Sequence, residues 1–135
     1  MSYGGDNVIP STAFISDDTS LAASFESSPY EMHKVKNLSF VLKCTNVTDN
    51  TGVFSFQVAN SLPSGEAPPA SGDWVSLTLS SVPTLANADS NFAVALGSAD
   101  APIGMFQWVR FTFSAAGVTP DGVLNIDVKR VAQGR

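Results

Sequence analysis

Residues 106–113 read FQWVRFTF and residues 123–130 read VLNIDVKR, joined by a short segment that closes on Pro120-Asp121-Gly122. Along the first run Val109, Phe111 and Phe113 alternate with Phe106, Trp108, Arg110 and Thr112. Along the second, Leu124, Ile126 and Val128 alternate with Asn125, Asp127 and Lys129. A period of two sends successive side chains to opposite faces of an extended chain, so each run is a strand with one apolar face. The intervening turn residues predict that the two strands pair as an antiparallel hairpin.

The same pattern extends upstream. From Val35 to Thr45, Leu38, Phe40, Leu42 and Cys44 alternate with Ser39, Val41, Lys43 and Thr45. Asp49-Asn50-Thr51-Gly52 is a turn signal with Gly52 as the positive-φ position. Beyond it, Phe54, Phe56 and Val58 alternate with Ser55, Gln57 and Ala59, which predicts a second hairpin. Further strands are predicted over Trp74–Ser81, ended by Pro83, and over Asn91–Leu96. Between them, SLPSGEAPPASGD (61–73) is a loop, because proline cannot donate to a strand ladder. A loop of that length suits an interaction site. No apolar stripe of helical period runs beyond a turn or two. The fold class is therefore all-β: a two-layer antiparallel β-sandwich, with the jelly roll as one topology open to it. The predicted core is Phe40, Leu42, Phe54, Phe56, Val58, Leu77, Leu79, Phe92, Val94, Val109, Phe111, Phe113, Leu124, Ile126 and Val128. Residues 1–27, rich in Gly, Ser, Asp and Thr, read as an extended N-terminal arm with one or two short strands, and residues 28–135 as the sandwich domain.

A chain of 135 residues is long enough for one domain with its own core. The net charge of −5 disfavours nucleic acid, because an acidic surface repels phosphates. Lys34, Lys36 and Lys43 read as solvated charges on strand edges. No stretch approaches a membrane span. The opening MSYGGDNVIP has neither the basic nor the apolar segment of a secretory signal, so folding in a cytoplasm is expected. Cys44 is the one cysteine and sits in an apolar run, where it reads as a small buried hydrophobe.

Residue types that do chemistry are sparse. His33 has Glu31 nearby but no nucleophile in a triad-like context, so no catalytic residue is assigned and no enzymatic activity is expected. One Cys and one His exclude a zinc site. Asp49, Asn50, Asp73, Asp89, Asp100 and Asp121 stand singly at turns, without the spacing of a calcium loop. No metal and no cofactor is expected. Partner contact is expected from Phe14 and Ile15 in the arm and from Trp74, Phe106, Trp108 and Arg110, the last three sharing one strand face. For Trp74 and Trp108 the leading alternative is burial in the core or under the N-terminal arm, since tryptophan is usually mostly buried. A further one is stacking on sugar rings, which makes a glycan- or receptor-binding module the second functional reading.

The hairpin-like GVFSFQVANS (52–61), the Asp73-Trp74 pair opening a strand and FQWVRFTFSAAGVTPDGVLNIDV (106–128) together resemble small β-sandwich virion structural proteins of tailed bacteriophages. The resemblance covers residues 38–128. Its last elements are Trp108-Val109-Arg110-Phe111 and Gly122-Val123-Leu124-Asn125-Ile126. It implies a non-enzymatic subunit that binds other virion proteins in capsid or tail, self-associates, and ends in the virion. The chain has no fibre repeat, collagen-like segment or coiled-coil stalk, which favours a compact decoration, cement or head–tail accessory subunit over a trimeric fibre.

Overall fold

The computed structural model describes residues 8–9, 14–32, 35–60, 74–79, 81–97 and 106–132. Among these residues ten strands follow one another: β1 (Val8–Ile9), β2 (Thr19–Ser20), β3 (Phe25–Glu26), β4 (Tyr30–Glu31), β5 (Val35–Thr48), β6 (Val53–Ala59), β7 (Val75–Ser76), β8 (Ser90–Leu96), β9 (Trp108–Ser114) and β10 (Asp121–Ala132). They form a two-layer antiparallel β-sandwich. One sheet runs β1-β10-β5-β8 with β2 also on β10; the other runs β3-β9-β6-β7 with β4 also on β9. With β1 and β2 taken as one interrupted strand and β3 and β4 as another, the first sheet holds strands one, eight, three and six in that order. The second holds two, seven, four and five.

Both predicted hairpins are corrected by this order. β9 and β10 do not pair with each other: Gln57 to Arg110 and Phe56 to Phe111 join β9 to β6, while Leu42 to Ile126 and Phe40 to Val128 join β10 to β5. Likewise β5 and β6 lie in opposite sheets. Each short connection is an arch that carries the chain from one layer to the other. Period-two patterning is unaffected, since a strand buries the same face whichever neighbour it takes.

The inward faces agree with the alternation. Phe40, Leu42, Phe54, Phe56, Val58, Val94, Val109, Phe111, Phe113, Leu124, Ile126 and Val128 are buried, and Leu77, Leu79 and Phe92 are partly buried against them. Rings span the layers: Phe40 meets Phe56 at 5.1 Å between centroids, and Phe54 meets Phe92 at 6.4 Å. Within the second sheet, Phe54 and Phe113, cross-strand partners on β6 and β9, meet at 4.7 Å. The strand predicted over Trp74–Ser81 is shorter, confined to Val75–Ser76, and Val75 points outward with 66 % of its surface exposed. β5 is an interior strand, so Lys43 guards a sheet face rather than an edge, where it pairs with Asp127 at 2.7 Å.

Phe14, Ile15 and Leu21, from the segment read as an arm, belong to the same core. Phe14 is 2 % exposed and packs on Tyr30 and Phe40 at 5.2 and 5.4 Å between centroids. Its contact surface is the interior of its own domain, not a partner.

The two arches meet at one corner and hold each other. The Asp49 carboxylate accepts from the Val118 and Thr119 amides at 2.9 and 2.7 Å and from the Thr119 hydroxyl at 3.3 Å. Asn50 is fully buried: its Nδ2 donates to Leu21 O at 2.9 Å and Asp121 O at 3.4 Å, and its Oδ1 accepts from Gly52 N at 3.0 Å. Thr51 N adds a bond to Ala116 O at 3.0 Å. The positive φ of the first arch falls on Asp49 (47°), not on Gly52. Gly52 is required for room instead, because a Cβ there would lie 2.5 Å from the Phe113 ring. Gly117, at φ 144°, lets the second arch close onto the Asp49 backbone.

Candidate functional site

β9 is an interior strand of the second sheet, flanked by β6 on one side and β3 and β4 on the other. With Val109, Phe111 and Phe113 turned inward, Trp108, Arg110 and Thr112 must face out. That outer face carries a connected polar arrangement. Arg110 stands directly opposite Gln57 in the ladder, and its Nε donates to Gln57 Oε1 at 2.8 Å. Its Nη1 reaches Glu26 Oε1 at 3.3 Å from β3. The guanidinium carbon lies 4.4 Å from the ring centroid of Trp74, the residue that leads into β7. Gln57 Nε2 passes the chain on to Ser76 Oγ at 3.3 Å, and one step along the sheet Ser55 and Thr112 share a hydroxyl bond of 2.7 Å. Side chains from β6, β3 and the residue leading into β7 thus converge on the Arg110 cation of β9.

The burial of that cation is the unusual feature. The Arg110 side chain keeps only 9 % of its surface exposed, against 57 % for Glu26. A desolvated guanidinium is tolerable only where hydrogen bonds and an aromatic face replace water. Gln57, Glu26 and Trp74 supply these. Trp74 and Trp108 are 9 % and 6 % exposed and form with Ala59 a small cluster separate from the main core. Neither indole presents the open face that a stacked sugar needs.

Of the residues singled out from the sequence, the structure brings Trp74, Trp108 and Arg110 together and places Phe14, Ile15 and Phe106 elsewhere. Phe106 is half-buried against the main core. Glu26 and Gln57 complete the cluster and were not singled out, although Gln57 holds an outward position in its own strand. The 61–73 loop, His33, Asp73 and Asp100 lie outside the described residues. Beside the Arg110 cluster a shallow groove of about 480 Å³ is lined by Glu26, Gln57 and Thr112, with Ser24, Phe25, Phe113 and Ser114.

The remaining turn carboxylates act within the fold. Asp89 Oδ1 accepts from Val47 N at 3.1 Å and Asp121 Oδ1 from Gly122 N at 2.8 Å. The bonds to Asp49, first the Thr119 amide, hold its carboxyl below the usual range despite some desolvation. Among the described residues no three candidate metal ligands converge, and no helix is long and apolar enough to cross a membrane. Cys44 is buried in β5, and that burial, with the negative charge of Asp89, pushes its thiol up to about 11.

No family model and no curated protein matches the chain.

Proposed function

We propose that this chain is a non-enzymatic structural subunit of a tailed-bacteriophage virion, of capsid-decoration, cement or head–tail accessory type. It folds in the host cytoplasm, binds other virion proteins and self-associates. The observation that carries the reading is the residue order from Leu38 to Val128, whose strand motifs resemble those of such subunits. We also read the strand order of the two sheets as a jelly roll, an architecture used by viral capsid domains. The use of side chains fits a scaffold: Arg110, Asp49 and Asn50 are engaged in joining strands and arches.

In this reading the outer face around Arg110 and the adjoining groove is the contact surface. Its accessible groups are Glu26, Gln57, Ser76 and Thr112, a polar rim of the kind found at protein interfaces, set around the covered Arg110 and Trp74. Any docking by the N-terminal segment would not use the Phe14 and Ile15 side chains, which are core.

The test is mass spectrometry of gradient-purified particles from a lysate of cells carrying the gene. The reading expects the chain in the particle fraction at a stoichiometric ratio to the capsid protein. Recovery only in the soluble fraction, with particles free of it, overturns the reading.

A further inference from the structure

Among the described residues, three of the four sheet edges are made of short strands: β1 and β2, β3 and β4, and β7 have two residues each, too few to template another chain. The fourth edge is different. β8, SNFAVAL, runs seven residues without a charge, a proline or a glycine, and among the described residues it pairs on one side only, with β5. Proteins protect such an edge with lysine, proline or a bulge, and β8 carries none of these.

We propose that β8 is a self-association edge: two copies pair β8 to β8, antiparallel across a two-fold axis centred on Ala93, and join their first sheets into one. Antiparallel pairing about a two-fold is self-complementary, so a second copy of this chain fits without any further adaptation. In this register Ala93 faces Ala93 of the second copy and Asn91 faces Ala95. These side chains are small and exposed in the single chain. On the inner side Phe92 faces Val94. Phe92 is half-buried, its ring reaching Phe54 of the other layer at 6.4 Å, and the second copy would complete its cover.

The net charge of −5 repels a second copy, and β8 adds no charge of its own to that repulsion along the contact. Its length gives a ladder of about 24 Å at about 3.4 Å per residue. With a sandwich about 20 Å thick, the two copies bury on the order of 1,000 Å² in total, the low end for a specific interface. The dimer is accordingly weak and concentration-dependent. The inference is independent of the virion reading and is tested on the purified chain alone.

Sedimentation equilibrium over roughly two decades of concentration around the micromolar range tests it. The mass should rise from one chain to two. Ala93→Lys sets like charges opposite each other and should stay monomeric at every concentration. Val41→Lys changes the same outer face on interior strand β5, beside Ala93, and should still dimerise. The double variant Asn91→Glu/Ala95→Lys places opposite charges across the two-fold and should bind about 2- to 30-fold tighter. Hydrogen exchange supplies a readout free of mutation: β8 amides should gain protection with concentration while β6 amides do not. A wild-type chain that stays monomeric, an Ala93→Lys chain that dimerises, or dissociation by Val41→Lys overturns the proposal.

Discussion

Asn50→Ala removes the side chain that ties the two arches and the N-terminal segment together. In the folded chain that amide donates to Leu21 O at 2.9 Å and accepts from Gly52 N at 3.0 Å, with a longer bond to Asp121 O at 3.4 Å. Leu21, Asn50 and Gly52 are all buried, so water does not replace the lost partners without opening the corner. A buried backbone group left unsatisfied costs about 1–3 kcal/mol, so the two stronger bonds together give a loss of about 2–6 kcal/mol. That is a large share of the about 5–15 kcal/mol that holds a domain together. With a urea slope of about 2 kcal/mol/M, the unfolding midpoint falls by about 2 M. The assay is urea unfolding followed by circular dichroism, with Asn91→Ala on the exposed face of β8 as the control, expected within about 0.5 kcal/mol of wild type. Hydrogen exchange adds a local check, since the Gly52 amide should lose protection first. A loss below about 1 kcal/mol refutes the reasoning, because the arches would then be held by core packing alone.

Arg110→Ala removes a charge-assisted bond to Gln57 and the stacking on Trp74, for a loss of about 2–4 kcal/mol after discounting the exposed Glu26 partner; urea unfolding reads the loss, and tryptophan emission should shift to the red as Trp74 gains water. Asp49 has a folded value below its ordinary one, so its contribution is complete above the ordinary range near ~3.9 and is lost as pH falls through the folded value. Asp49→Asn should therefore melt below wild type at neutral pH, with the gap closing on acidification; a gap constant from pH 7 to about pH 2 contradicts the assignment. Cys44, pushed up to about 11 and buried, should resist a thiol reagent at pH 8 in the folded chain and react at once in denaturant; rapid labelling without unfolding contradicts its burial.

Alternation along β6, β9 and β10 tells which side chains go in, and Val109, Phe111 and Phe113 lie inward as their spacing requires. It carries no information on which strand lies alongside. A hairpin and an arch bury the same alternate residues, so Asp49–Gly52 and the segment closing on Pro120-Asp121-Gly122 read as hairpin turns. The difference comes from bonds between Asp49 and Val118 and Thr119, about seventy residues away, which no local signal contains. Residues 1–27 read as an arm with one or two short strands, but the pattern does not tell which of its side chains go in: Phe14 and Leu21 lie outside the two-residue strands, where no period marks an inward face. The outer-face site was half legible: Trp108 and Arg110 share a strand, whereas Glu26, Gln57 and Trp74 join them from three other places in the chain.

Cross-strand nuclear Overhauser contacts in a labelled sample test the two-sheet order most directly. Backbone contacts should link Val41 to Asp127 and to Ala93, and Gln57 to Arg110 and to Ser76. Backbone contacts joining β9 to β10, as in a continuous hairpin, would contradict it.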